Sequence, residues 1–234
     1  RYDFYDYLAL NRVAGLLVLK DGKIVEETYQ LGITPSTRWA SFSVAKSVAS
    51  TLVGAALLDG HIGSLDDLLS KYLKDLSEGP YSRVTVRNLL QMTTGIKWDE
   101  TYVNPQSDRR RLLERQLTQE AGNILKFMNS LSNAAAPGSR WNYNTGETAL
   151  LGLVLEAATK KPLADYLSEK LWKPVGMESD ATWQLESPDG SGFAGGGLAA
   201  TLRDFGRFGL FAMTETTPSG ARLVPEGWSR LAGS

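Results

Sequence analysis

Two short strand-like runs, residues 14–19 and 24–29, flank Lys20-Asp21-Gly22-Lys23, whose Asp-Gly pair favours a two-residue hairpin turn and predicts an antiparallel pair of strands. Helical spacing then takes over. Residues 48–58 form an apolar run with Val48, Ala49, Leu52, Val53, Ala56 and Leu57 on one face, predicting a buried helix. Thr85 followed by Val86, Leu89, Leu90 and Met92 predicts a capped helix closed by Gly95, and residues 107–117 a further one. Leu150, Leu151, Val154, Leu155 and Ala158 recur at helical spacing across residues 147–160. Thr201-x-x-Asp204 opens a last helix reaching about residue 213.

Strands first and helices after predict an α+β domain in which an antiparallel sheet is flanked by helices. Its α/β part covers residues 1–60 and 181–234, and a mainly helical lobe covers 61–180. Few strands are visible for so much helix. A sheet that buries a helix needs more than one hairpin, and Leu223-Val224-Pro225-Glu226-Gly227-Trp228 brings no further strand pair.

At 234 residues the chain is long enough to bury a substantial core. A formal charge of −1, from 25 basic and 26 acidic residues, creates no field favouring nucleic acid or an anionic membrane, so a small neutral substrate fits better. Cysteine is absent, which excludes disulfides, thiol catalysis and Cys-ligated zinc while leaving the compartment undecided. The single histidine, His61, lies in a glycine-flanked turn, so no His-rich metal site is expected and no cofactor is implied. Asp66 and Asp67 read as first-turn helix charges, and Arg109, Arg110, Arg111 and Arg115 as a solvated helix face. No run is long enough for a membrane span, no signal-peptide pattern is present, and the opening Arg1-Tyr2-Asp3-Phe4 fits a start inside a longer precursor.

Candidate chemistry begins at Ser41-Phe42-Ser43-Val44-Ala45-Lys46-Ser47, directly ahead of the apolar run. A spacing of three puts Ser43 and Lys46 on one helical face, at a helix N-terminus whose unpaired N–H groups suit a developing oxyanion. Two readings stand. Either the pair is a nucleophile with its own base, or a serine caps the helix and Lys46 is a solvated helix residue. About one hundred residues later, Pro137-Gly138-Ser139-Arg140-Trp141-Asn142-Tyr143-Asn144-Thr145-Gly146-Glu147 is a polar, aromatic loop running into an apolar helix. Tyr143 could project its hydroxyl beside the serine–lysine pair or be an interface tyrosine; Asn144 could orient a substrate carbonyl; Thr145 and Glu147 equally suit helix capping.

The order of these motifs resembles the penicillin-recognising serine hydrolases, which include class C β-lactamases, D-alanyl-D-alanine carboxypeptidases, family VIII carboxylesterases and 6-aminohexanoate-dimer hydrolases. The resemblance also rests on Gly63-Ser64-Leu65-Asp66-Asp67, on Val84-Thr85-Val86-Arg87-Asn88-Leu89-Leu90-Gln91-Met92-Thr93-Thr94-Gly95-Ile96, and on Gly195-Gly196-Gly197-Leu198. It implies a β-lactamase/transpeptidase-like fold and a serine hydrolase, its S-x-x-K signature carried by Ser43 and Lys46. In that pattern Ser43 attacks the substrate carbonyl, Lys46 activates it and Tyr143 carries the proton to the leaving group.

Thr145 stands where the family's Y-x-N motif has asparagine, which replaces an amide by a hydroxyl and shifts the expectation from β-lactams toward a small ester or linear amide. The alternative readings are a β-lactam-binding penicillin-recognising protein (sensor, carboxypeptidase or β-lactamase) or an inactive fragment that needs a complementing segment. The loop Trp98-Asp99-Glu100-Thr101-Tyr102 resembles the aminohexanoate branch, making Tyr102 a candidate substrate contact with Asn144, Thr145 and Trp39. The family's third motif, a strand lining the cleft beyond residues 195–213, has no counterpart here, and Gly195-Gly196-Gly197 reads as an ordinary loop ahead of a helix. The expectation is therefore a domain lacking the C-terminal part of its sheet, with a complementing C-terminal segment as a partner.

Overall fold

The computed structural model describes residues 2–233. In chain order it contains α1 (Phe4–Leu10), β1 (Gly15–Lys20), β2 (Lys23–Tyr29), β3 (Trp39–Ala40), α2 (Val44–Leu58), α3 (Val86–Leu90), α4 (Asp108–Leu117), α5 (Asn123–Asn129), α6 (Thr145–Thr159), α7 (Leu163–Leu167), α8 (Lys173–Val175), β4 (Thr182–Trp183), β5 (Leu198–Ala200), α9 (Leu202–Thr214) and α10 (Trp228–Ala232). Two short 3-10 turns, Leu69–Lys71 and Lys74–Leu76, lie between α2 and α3.

The hairpin forms as the Asp-Gly pair predicts. Lys20 faces Lys23 across a two-residue turn, and Asp21 and Gly22 both have positive φ, 50° and 75°, as a turn matched to strand twist requires. Helix α9 lies against β1, and Arg203 on α9 grips Glu27 of β2 side-on, with Nε and Nη2 donating at 2.7 and 2.8 Å. A second antiparallel sheet has the order β3-β5-β4, in which Trp39 faces Ala200 and Ala199 faces both Ala40 and Thr182. Strands of two or three residues leave no period in a sequence, so only the hairpin was visible there.

Helices α2 and α6 form the centre. Val48, Ala49, Leu52 and Val53 on the first and Leu150, Leu151, Val154 and Leu155 on the second are at most 2% exposed. Each large aliphatic side chain buried this way contributes roughly 1.5–3 kcal/mol, so the two helices are firmly fixed relative to each other. Their N-termini carry Ser43 and Tyr143.

Three local expectations need correction. The Thr85 helix has the expected reciprocal cap with Asn88 but ends at Leu90, not near Gly95, because Met92 turns to a positive φ of 54° and the Thr93 N–H bonds Asn88 O. Asp66 and Asp67 do not open a helix: Asp66 pairs with Arg87 at 2.7 Å, while Asp67 accepts from the Ser64 N–H, Lys71 and Tyr72. Arg109 leaves the solvated face of α4 and turns inward beside Glu100, with 17% of its side chain exposed.

Candidate active site

Strand β3 delivers the chain to Ser43 through a sharp turn. The Ser41 N–H bonds Leu198 O at 2.8 Å, extending the β3–β5 pairing by one residue, and Phe42 then adopts a positive φ of 45° before α2 begins. A left-handed non-glycine residue costs on the order of 1–2 kcal/mol, which the surrounding sheet and helix must hold in place. Ser43 occupies the N-cap position yet makes no side-chain cap. Its hydroxyl instead accepts from Tyr143 Oη at 2.8 Å and lies 3.3 Å from Lys46 Nζ. Its backbone N–H donates to no carbonyl among the described residues and remains open to an incoming oxyanion.

Lys46 is half-buried, and its Nζ donates to the Gly195 carbonyl at 2.5 Å and sits 5.3 Å from the centre of the Tyr143 ring. Burial pulls its ammonium below the usual lysine range. Tyr143 and Glu100 oppose that shift, and Arg109 adds to it. The 195–197 loop is therefore more than a connector, since its first carbonyl fixes one N–H of the amine. A Cβ on Gly195 would lie 2.7 Å from Thr145 O, so only glycine allows this approach.

Tyr143 is held from both sides. Ahead of it, Asn142 N–H bonds Met92 O at 2.9 Å, and the Asn142 amide donates to Trp98 O at 3.2 Å. Behind it, Asn144 caps α6: its Oδ1 accepts from the Glu147 N–H and its Nδ2 donates to Glu147 Oε1, both at 3.1 Å. Asn144 is 1% exposed and Thr145 3%, with the Thr145 hydroxyl donating to Glu100 Oε1 at 2.5 Å. Both polar groups are already engaged inside the protein. The indole of Trp39 lies over Gly15, against β1. Tyr102 is 59% exposed, donates to Glu100 at 3.1 Å and is close enough to Tyr143 to interact electrostatically.

The structure thus brings Ser43, Lys46 and Tyr143 together, with Tyr102 on the same side, while Asn144 and Thr145 serve the N-terminus of α6. Sequence reasoning missed Glu100, Arg109 and Gly195 as members of this cluster. Glu100 shares the 98–102 loop with its neighbours Trp98 and Tyr102, but nothing local signals its contact with Thr145, 45 residues away. No group of three or more His, Cys, Asp or Glu side chains that could hold a metal occurs among the described residues.

A serine–lysine pair at the mouth of a buried helix, a tyrosine loop opening a second one, and antiparallel strands beside them define a β-lactamase/transpeptidase-like domain. The chain belongs to the Beta-lactamase family, whose pattern matches residues 11–232. It is 30% identical over 224 residues to the 6-aminohexanoate-dimer hydrolase of Paenarthrobacter ureafaciens, covering 93% of this chain and 56% of that protein. It is 25% identical over 191 residues to the lovastatin esterase of Penicillium rubens, covering 67% and 45%. Among solved structures, a Bacillus anthracis protein provisionally named a 6-aminohexanoate-dimer hydrolase superposes with a TM-score of 0.86 at 24% identity, covering 97% of this chain and 61% of that one. The octameric penicillin-binding protein homologue from Pyrococcus abyssi gives 0.76 at 19% identity, with 97% and 57% covered. The chain spans about half the length of these curated relatives.

Proposed function

We propose that this domain carries the acyl-transfer centre of a serine hydrolase that cleaves a small ester or linear amide through an acyl-enzyme on Ser43. The observation that carries the reading is the position of the Ser43 hydroxyl, 2.8 Å from Tyr143 Oη and 3.3 Å from Lys46 Nζ. Lys46 in its neutral form has one N–H engaged by Gly195 and a lone pair free for the serine proton.

Ser43 Oγ bonds to the substrate carbonyl carbon as its proton passes to Lys46 Nζ. The carbonyl oxygen takes up the displaced electron pair and meets the Ser43 N–H. As the tetrahedral intermediate collapses, the bond to the leaving oxygen or nitrogen breaks, and the Tyr143 hydroxyl gives that atom a proton. Lys46 returns its proton to Tyr143 along the Ser43 side of the cluster. Water then repeats the sequence on the acyl-enzyme, releasing the acid and restoring Ser43.

Two points favour an ester or linear amide over a β-lactam. The Thr145 hydroxyl and the buried Asn144 amide are engaged by Glu100 and Glu147, so neither is presented for the amide contact typical of β-lactam recognition. Relatives named as a 6-aminohexanoate-dimer hydrolase and a lovastatin esterase agree with that choice. Hydrolysis of a p-nitrophenyl ester by wild type and Ser43→Ala tests the reading: loss of turnover in the variant is expected, and equal rates would overturn it.

A further inference from the structure

Four donors converge on the side chain of Glu100, which is 17% exposed. Trp98 Nε1 and the Thr145 backbone N–H donate to Oε2 at 2.6 and 2.9 Å, while the Thr145 and Tyr102 hydroxyls donate to Oε1 at 2.5 and 3.1 Å. An acceptor-only carboxylate suits such a set. Arg109 approaches the same carboxylate, with Nε 3.9 Å from Oε1, and its guanidinium lies 5.6 Å from the centre of the Tyr102 ring. Arg109 Nε and Nη1 are buried without a hydrogen-bond partner among the described residues, so this arginine is held by charge and stacking.

Thr145 is the first residue of α6 and follows Tyr143 by two. A carboxylate that holds both the N–H and the hydroxyl of Thr145 fixes where the Tyr143 loop ends. The same carboxylate holds the hydroxyl of Tyr102, the exposed aromatic on the opposite loop. We propose that Glu100 is a positioning residue that clamps the N-terminus of α6, and with it Tyr143, to the loop presenting Tyr102, with Arg109 as its counter-ion. The roles of Tyr143 and Lys46 in this proposal rest on the acyl-enzyme reading above; the clamp and its charges do not.

The clamp has an electrostatic side. The charged and titratable groups facing Lys46 are Tyr143, Glu100 and Arg109, with the Ser43 hydroxyl and the Gly195 carbonyl as its neutral contacts. Glu100 raises the Lys46 pKa and Arg109 lowers it. Removing one charge or the other therefore moves the lysine in opposite directions, which a purely structural role would not do.

Position and charge are separable. A glutamine at this site can place its oxygen toward the Trp98 and Thr145 N–H groups and its NH2 toward the two hydroxyls, which accept as well as donate. Glu100→Gln keeps the clamp and removes the charge; Glu100→Ala removes both.

Two readouts test this. NMR titration of lysine-labelled protein, with Lys46 assigned by its loss in Lys46→Arg, follows protonation without any turnover. The Lys46 midpoint is expected to fall in Glu100→Gln and to rise in Arg109→Gln. Labelling of Ser43 by a fluorophosphonate, read by intact mass, is expected to slow by about tenfold to a hundredfold in Glu100→Ala relative to Glu100→Gln, the scale of a misplacement near 1 Å. Midpoints that stay put or move together, or equal labelling of the two Glu100 variants, would overturn the proposal. Failure of wild type to label at Ser43 would instead overturn the acyl-enzyme reading, and the titration would still decide the role of Glu100.

Discussion

Lys46 Nζ donates to the carbonyl oxygen of Gly195 at 2.5 Å, joining the first turn of α2 to the loop that leads into β5. This contact orients the amine: Nζ also donates to Ser43 Oγ at 3.3 Å, and in the neutral form, with one N–H committed to Gly195, its lone pair can turn toward the serine proton. Backbone holds the Lys46 amine here, so the identity of residue 195 matters through space alone.

Gly195→Ala should therefore damage catalysis more than stability. The new Cβ would lie 2.7 Å from Thr145 O and 3.0 Å from Thr145 Cγ2, forcing the loop away from α6 and its carbonyl away from Lys46. Ser43 labelling by a fluorophosphonate is expected to slow by about tenfold to a hundredfold. Labelling at the wild-type rate would mean that the Gly195 carbonyl does not orient the base.

The pH profile of acylation follows from the state of Lys46. Burial lowers its pKa from the ordinary 10.5, so the neutral, proton-accepting form becomes available at lower pH than for a solvated lysine. The rate should rise with pH through a midpoint below that ordinary value. Lys46→Arg, charged throughout, should lose about 10²–10⁴ in acylation rate above that midpoint and show no such limb. A rising limb that survives in this variant would remove Lys46 as the base.

Tyr143→Phe removes the hydroxyl that lies 2.8 Å from Ser43 Oγ. Its proton matters most when the leaving group is basic. The loss in kcat/KM should approach about 10²–10⁴ for a linear amide and be much smaller for a p-nitrophenyl ester, whose leaving group needs no proton. Equal losses on the two substrates would assign Tyr143 to ground-state packing.

Ser43, Lys46 and Tyr143 were legible in the sequence because each sits on a local pattern, a helix-spaced pair or a loop entering an apolar helix. Trp39, Asn144 and Thr145 were named from the same segments, yet the structure turns the first onto Gly15 and uses the other two to build the start of α6. Residue type shows what a side chain can donate, and only tertiary structure shows where it has done so. Glu100 and Gly195 make the same point from the other side: the contacts that bring them into the cluster, with Thr145 and Lys46, span 45 and 149 residues, beyond any periodicity. The hairpin and the central helices α2 and α6 were visible for the converse reason, since turn chemistry and 3.6-residue spacing are local.

Glu147 gives the fold a pH dependence separate from catalysis. Burial pushes its carboxyl up to about 8 from 4.5, with hydrogen bonds from Thr94 and Asn144 pulling the other way. A folded pKa above the unfolded one means that the protonated acid favours the fold. This stability is fully present below about pH 4.5 and lost as pH rises through about 8. Glu147→Gln keeps an acceptor for Thr94 and Asn144 and has no proton to lose. Across that window wild type should lose stability relative to the variant, by an amount on the order of a few kcal/mol. Urea titrations at several pH values measure the difference, and parallel curves would show that the Glu147 carboxyl is not raised in the folded state above its unfolded value.

The acyl-enzyme on Ser43 is the point on which the account turns. Wild type, Ser43→Ala and Lys46→Arg are mixed briefly with p-nitrophenyl acetate, quenched in acid and digested for mass spectrometry. Wild type should carry one acetyl group on the peptide containing Ser43, formed in a burst stoichiometric with p-nitrophenol, and Ser43→Ala should carry none. An acetyl group found elsewhere, or the same burst from Ser43→Ala, would contradict the assignment of Ser43 as the nucleophile.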